Sequence, residues 1–360
     1  MNAAGDGRQA EHQLLELVRR DRVPGLQYVA VSSTRTLLDF AAGFAAVGSR
    51  PMTADTTLMA YSMSKTITAC AVLQLVERGK LGIDDSVSRY ISWQPYGDEI
   101  TVRRLLSHTA GIPNPLPLRW VHSVASDPAF AERDALMKIL GSHPRLAHKP
   151  GVRFAYSNIG YWLLGALVEE VTGETFATHV QSSVFTPLGF GSRKMTYRIP
   201  DATRHASGYL ERRSFINLVK PLVIDRSLVG QRAGRWVEIL PHYVNGPAFG
   251  GIVAPAAAFA SFLQDQLRES SRVLGASGRG FFYEQQCVAG RDIPMTLGWH
   301  IGARGEQRYY FKEGGGAGFH SMMRLYKGRD IGTAIMVNAT TFNVARVLDT
   351  VDALLGAAIE

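Results

Sequence analysis

Only two cysteines occur in 360 residues, Cys70 and Cys287, and neither stands at a CxxC or Cys/His spacing. Neither a disulfide framework nor a zinc site therefore organises the chain, and both thiols are expected to be packed side chains. Long apolar runs are missing too, since no stretch approaches the roughly 18 residues needed to cross a bilayer. The opening segment MNAAGDGRQAEHQLLELVRRDRVPG holds no apolar core of signal-peptide length, so the expectation is a cytoplasmic protein without a membrane span. There is no G-x-S-x-G and no H-E-x-x-H, which leaves an α/β-hydrolase triad and a zinc peptidase unsupported. Internal repeats and low-complexity tracts are also absent. What remains is a chain 46% hydrophobic and 19% charged, enough to bury one large core or two moderate ones in two lobes.

The net charge of +8 is unevenly placed. Between residues 191 and 236, ten basic side chains (Arg193, Lys194, Arg198, Arg204, Arg212, Arg213, Lys220, Arg226, Arg232, Arg235) face three acids (Asp201, Glu211, Asp225), leaving +7 in that segment. Two readings suit it: a solvated, variable surface excursion, or a rim that attracts anionic substrates. No aromatic-basic RNA motif or recognition helix accompanies it, so a nucleic-acid partner is not expected.

Periodicity divides the chain into helical and extended parts. Residues 9–20 space their apolar positions as a helix, and PGLQYVAVSS and TLLDFAAGF alternate as two strands around a turn at Ser33 to Arg35. Helical signals follow at 64–78, in TVRRLLSHTAG, at 129–140 and in NIGYWLLGALVEEVTG, each stopping at a glycine suited to a left-handed cap. APAAAFASFLQDQL is a further helix. The C-terminal part reads as strands in PMTLGWHIG, QRYYFKEGG, GFHSMMRLYK and DIGTAIMVNA, then a helix at about 343–358. The expectation is an α+β fold in which one antiparallel sheet is built from both termini. The sheet domain would comprise 1–61 and 285–360. A mainly helical domain would span 62–284, with a basic variable segment at 191–245.

The candidate chemistry begins in MAYSMSKTITACAVLQLVERGK, residues 59–80, where Ser62 precedes Lys65 by three. Positions i and i+3 share a helix face, so Lys65 Nζ can reach Ser62 Oγ. A serine hydroxyl needs a base, and a lysine whose pKa burial has depressed can be one. A serine-x-x-lysine pair alone is common. Two further short signatures accompany it: Tyr156 and Asn158 in FAYSNIGY, and Lys312 and Gly314 in YYFKEGGGAGFHS. His108 in LLSHTAG reads as a cap or packing residue, and His320 follows the third signature closely enough to be a site residue.

With these motifs the chain resembles the class C β-lactamase-like serine hydrolases, relatives of the penicillin-binding proteins that also include D-aminopeptidases and family VIII carboxylesterases. The stretches YSMSKTITACAVLQLVERGKLGIDDSV, TVRRLLSHTAGIP, YSNIGYWLLGALVEEVTG, PLGF and FGGIVAP carry the likeness; 191–245 carries least. The resemblance implies a β-lactamase-like fold with Ser62 as acylated nucleophile, Lys65 as its partner and Tyr156 as companion general base. It further implies Asn158 as a donor to substrate, Lys312 as the cation of the third motif, and an oxyanion hole from the amides of Ser62 and Gly315. Lys65 and Lys312 flanking Tyr156 are expected to lower its pKa. Neither metal nor cofactor is implied. The departure is Glu313, between Lys312 and Gly314, where relatives that bind a substrate carboxylate usually have a small hydroxyl residue. It adds like-charge repulsion unless it pairs or turns away. The expected function is a carboxylesterase acting on a small ester. The alternatives are a D-amino-acid amidase or peptidase, a β-lactamase, and, of another class, a non-catalytic ligand-binding or sensor protein.

Overall fold

In a computed structural model of the chain, which describes residues 3–116, 120–190, 194–214 and 224–356, the strand Gly25–Val31 (β1) is buried along its whole length. A strand covered on both faces can be apolar throughout, and in β1 only Gln27 interrupts the run. Its amide is fully engaged: Nε2 donates to the Thr53 and Thr56 carbonyls, and Oε1 accepts from the Ala256 amide. Beside β1 lie Thr36–Ala46 (β2) and Arg50–Pro51 (β3) on one side. On the other lie His300–Arg304 (β4), Gln307–Gly316 (β5), Phe319–Tyr326 (β6) and Ile331–Val337 (β7), in the order β4-β5-β6-β7-β1-β2-β3. Every pairing is antiparallel, with Leu26 opposite Val337 and Gly315 opposite His320. Strands from both ends of the chain thus close one sheet, and the fold is α+β.

Helices cover both faces. Ala3–Arg19 (α1) and Val344–Leu354 (α5) place Ala10, Leu14, Leu348 and Val351 on the side of Leu26, Tyr28 and Ile335. Ala256–Leu267 (α4) sets Phe262 and Leu263 against the other face, with Val29, Val31 and Ala334. Between them runs Ser64–Glu77 (α2), buried at every position from Ser64 to Leu75. Its polar side chains are therefore bonded inward: Thr66 Oγ1 to the Gly298 carbonyl, Thr68 Oγ1 to the Ala248 carbonyl, and Gln74 Nε2 to the carbonyls of Ser183 and Val273. Gly79 follows α2 with φ 67° and Gly173 follows Asn158–Thr172 (α3) with φ 73°, the left-handed stops expected from sequence.

Two helices end elsewhere than expected. TVRRLLSHTAG is helical only over Val102–Leu106, because His108 itself turns left-handed at φ 58°. Tertiary bonds account for this, since the His108 carbonyl accepts from the Ala155 amide and its Nδ1 from the Ser157 amide. The next helix runs from Glu132 through Gly141 to Ser142, and the His143 amide closes its last turn on Ile139 and Leu140. Cys70 is buried as expected, but Cys287 is exposed on a two-residue strand.

Three strands, Gly208–Glu211, Val229–Ala233 and Trp236–Ile239, form a small sheet within the basic segment. It leans on the β5–β6 turn through the Tyr209 amide and the Gly318 carbonyl. Arg198 pairs with Asp127, Arg204 with Asp201 and Arg235 with Glu211. Arg193 and Lys220 lie outside the described residues. Among the described residues no helix is long and apolar enough to cross a membrane.

Beneath α5, the buried Asp352 accepts from the hydroxyls of Tyr28, Tyr326 and Thr333, with Arg324 3.7 Å away. Burial penalises the ionised form more than these partners and Arg324 relieve it, so the carboxyl is pushed up to about 6. A raised acid pKa stabilises the folded state most where both states are protonated, and that contribution is lost as pH rises from about 4 to about 6. Wild type should therefore lose about 2 to 3 kcal/mol relative to Asp352→Asn between pH 3.5 and pH 7.5, measured by urea unfolding. A wild type that gains on the variant over that interval contradicts the assignment.

Candidate active site

Ser62 lies in a one-turn 3-10 segment, Tyr61–Met63, just ahead of α2, and Lys65 occupies the first turn of α2. Lys65 Nζ is 3.0 Å from Ser62 Oγ, 2.8 Å from Asn158 Oδ1 and 2.7 Å from the Phe249 carbonyl oxygen. The residue has no exposed surface, and among the described residues no carboxylate pairs with it. Burial drives its pKa far below that of an ordinary lysine, and the neighbouring Lys312 pushes the same way. A neutral amine here has one arrangement that satisfies every neighbour. Asn158 Oδ1 and the Phe249 carbonyl can only accept, so they take the two N–H bonds, and the lone pair is left facing the Ser62 hydroxyl.

Tyr156 donates its hydroxyl to Ser62 Oγ over 2.8 Å. The expectation of a lowered phenol pKa is not met. Burial pushes it up and the bond to Ser62 offsets only part of that, so Tyr156 stays protonated and acts as a donor. Lys312 is completely buried on β5, with Nζ 5.8 Å from the Tyr156 ring centre, 5.6 Å from that of Tyr161 and 3.4 Å from His300 Nε2. Desolvation brings its pKa down to about 7. His300 is pushed down to about 2, first by burial and then by Lys312 and Lys65, so its imidazole is neutral. His108 packs against Tyr156 with ring centres 4.4 Å apart and planes tilted by 36°, and is likewise held neutral by burial. It supports the Tyr156 ring from behind.

The third signature approaches Ser62 through backbone. A Cβ on Gly314 would fall 2.8 Å from the Ser62 amide nitrogen and collide with the Ala60 carbonyl, so only glycine lets β5 lie this close. Gly315 is next along that strand. Ser321 Oγ bridges the carbonyls of Ala60 and Gly314, tying the Ser62 turn to the sheet. Glu313 points to the opposite side of β5, 44% exposed, and its Oε1 lies 2.7 Å from His320 Nε2. That bond holds the Glu313 carboxyl below the usual carboxylate range. His320 Nδ1 is 2.6 Å from the Phe342 carbonyl. Both ring nitrogens thus face acceptors.

The fold therefore brings Ser62, Lys65, Tyr156, Asn158, Lys312 and Gly314 together, and pairs Glu313 with His320 beside them. Sequence reading assigned nothing to the Phe249 carbonyl, His300, Tyr61 or His242. FGGIVAP carries Phe249 within the family likeness, but its use as a backbone acceptor has no residue-type signal. His300 and His242 stand in no spacing that would single them out.

A family model described as Beta-lactamase matches residues 8–358. Penicillin-binding protein 4* of Bacillus subtilis (strain 168) is 26% identical over 282 residues, 77% of this chain and 59% of that protein. Protein flp of Staphylococcus aureus (strain N315) is 28% identical over 189 residues, 49% of this chain and 35% of that protein. The chain thus spans less than two thirds of the length of these curated relatives. Among solved structures, the D-amino acid amidase from Ochrobactrum anthropi SV3 complexed with L-phenylalanine superposes with a TM-score of 0.80 at 20% identity, covering 97% of this chain and 98% of that one. The octameric penicillin-binding protein homologue from Pyrococcus abyssi gives 0.76 at 21%, covering 97% and 77%. At these identities the likeness is one of fold.

Proposed function

The chain belongs to the β-lactamase family, serine hydrolases of the superfamily shared with the penicillin-binding proteins, and on that premise we propose that it hydrolyses a small carboxylic ester through an acyl-enzyme on Ser62. One observation carries the reading: an unbranched proton path from the Tyr156 hydroxyl to Ser62 Oγ to Lys65 Nζ, ending on a buried amine whose other bonds are spoken for. Ser62 Oγ attacks the carbonyl carbon as its proton passes to Lys65. The oxyanion that forms accepts from the amides of Ser62 and Gly315. Collapse expels the alcohol, which takes the proton that Lys65 holds. Water then attacks the acyl carbonyl, gives its proton to the same base, and Ser62 leaves with a proton restored. Asn158 Oδ1 is committed to Lys65, so only its Nδ2 is open to substrate.

Glu313 supports an uncharged ester over a β-lactam through its charge, since it keeps a partly exposed carboxylate on the strand beside Ser62 even though the side chain turns to the other face of β5. The same charge favours a second reading, an amide of an amino acid whose free ammonium it could attract. Wild type is expected to hydrolyse p-nitrophenyl butyrate and to be labelled at Ser62 by a phosphonate ester, with nitrocefin turned over far more slowly. A D-amino-acid amide cleaved faster than the ester would transfer the assignment to the second reading. Absence of labelling would leave a non-catalytic binding protein. Glu313→Thr should raise the ratio of kcat/KM for nitrocefin to that for the neutral ester by roughly tenfold, the equivalent of about 1.4 kcal/mol. An unchanged ratio means that this carboxylate, tied to His320, does not face the substrate.

A further inference from the structure

The residue ahead of the nucleophile has an unusual backbone. Tyr61 has φ 47°, in the left-handed region that bulky side chains avoid, so its surroundings must hold it there. Its ring fills the space over Gly316, where any side chain would collide with it. Its hydroxyl meets two acceptors from distant parts of the chain. His242 Nε2, on the strand His242–Val244, is 2.7 Å away, and the Ala317 carbonyl, in the turn between β5 and β6, is 3.1 Å away. His242 Nδ1 lies 2.8 Å from the Leu240 carbonyl, which can only accept, so Nδ1 carries the ring proton and Nε2 presents a lone pair. Burial pushes His242 down to about 4 and so keeps it neutral, and burial also keeps the Tyr61 phenol protonated. One hydroxyl proton is thus shared between His242 and Ala317.

These anchors flank the two amides assigned to the oxyanion hole. Tyr61 is joined to Ser62 by a peptide bond, and Ala317 stands two residues beyond Gly315 on the same hairpin. Ser321 pins the turn from the other side, at Ala60. We infer that Tyr61 is a positioning residue whose hydroxyl, held by His242, sets the gap between the amides of Ser62 and Gly315. The inference rests on the proposed acyl-enzyme role of Ser62. Such donors act over a window of a few tenths of an ångström around the developing oxyanion, so a relaxed gap weakens the transition state more than the bound ester.

Tyr61→Phe keeps the ring over Gly316 and removes the hydroxyl. It should lower kcat roughly tenfold with KM within about twofold, and slow phosphonate labelling of Ser62, read by intact mass, by a similar factor. His242→Leu should match it, while His242→Gln, whose amide oxygen can accept from Tyr61, should stay within about threefold of wild type. Combining Tyr61→Phe with His242→Leu should add little. Wild-type kcat and labelling in Tyr61→Phe, a loss confined to KM, or additive losses in the double variant would each overturn the inference. If Tyr61→Phe does not fold, the His242 pair decides, and equal rates for Leu and Gln reject it. A wild type that resists the phosphonate removes the acyl-enzyme reading and this inference together, whereas labelling that all variants share rejects the inference alone.

Discussion

Ser62→Ala should lower kcat/KM for a p-nitrophenyl ester by roughly 10⁴-fold or more, because the covalent route is lost and only binding and the oxyanion amides remain. The fold should survive. Ser62 is only partly buried, and among the described residues its hydroxyl bonds to Tyr156 and Lys65 alone. Circular dichroism and the melting temperature should therefore match wild type while phosphonate labelling disappears. Activity retained above about one hundredth of wild type would place the nucleophile elsewhere.

Lys65→Arg should be almost as damaging, on the order of 10³-fold, because a guanidinium keeps its proton at any accessible pH and cannot take one from Ser62. A lysine acting only through its charge would be replaced with little loss. Rates near wild type for the arginine variant would thus show that Lys65 serves as a cation. The sign of the pH dependence makes the same distinction. The acting form is the neutral amine, so kcat/KM should rise with pH through the Lys65 titration, which burial and Lys312 place far below that of an ordinary lysine. Combining Ser62→Ala with Lys65→Arg should cost little beyond either alone, since two groups sharing one proton transfer fail as a unit. Losses that multiply would separate their roles.

Much of this site could be read before any fold was known, and the reason is local geometry. Ser62 and Lys65 are three residues apart at the start of a helix, and backbone periodicity brings their side chains together whatever surrounds them. Tyr156 with Asn158 and Lys312 with Gly314 were likewise legible as short spacings, and the apolar pattern of α2 foretold its burial. The short extended runs at β1, β2 and the last four strands pointed to a sheet drawn from both termini, although β1 is buried on both faces and does not alternate. What sequence could not supply was set across long separations. The bonds that turn the Lys65 lone pair toward Ser62 come from residues 93 and 184 positions away, one of them a main-chain carbonyl with no residue-type signature. The protonated state of Tyr156 follows from desolvation, which depends on everything packed around the ring, and it reversed an expectation based on nearby charge alone. Whether Glu313 is bare or paired depended on β6 presenting His320 in register opposite Gly315. The exposure of Cys287 and the left-handed turn at His108 were likewise set by contacts that only the assembled chain makes. Sequence determined which groups are chemically able to act; the tertiary structure decided their protonation and their partners, because both are set by burial.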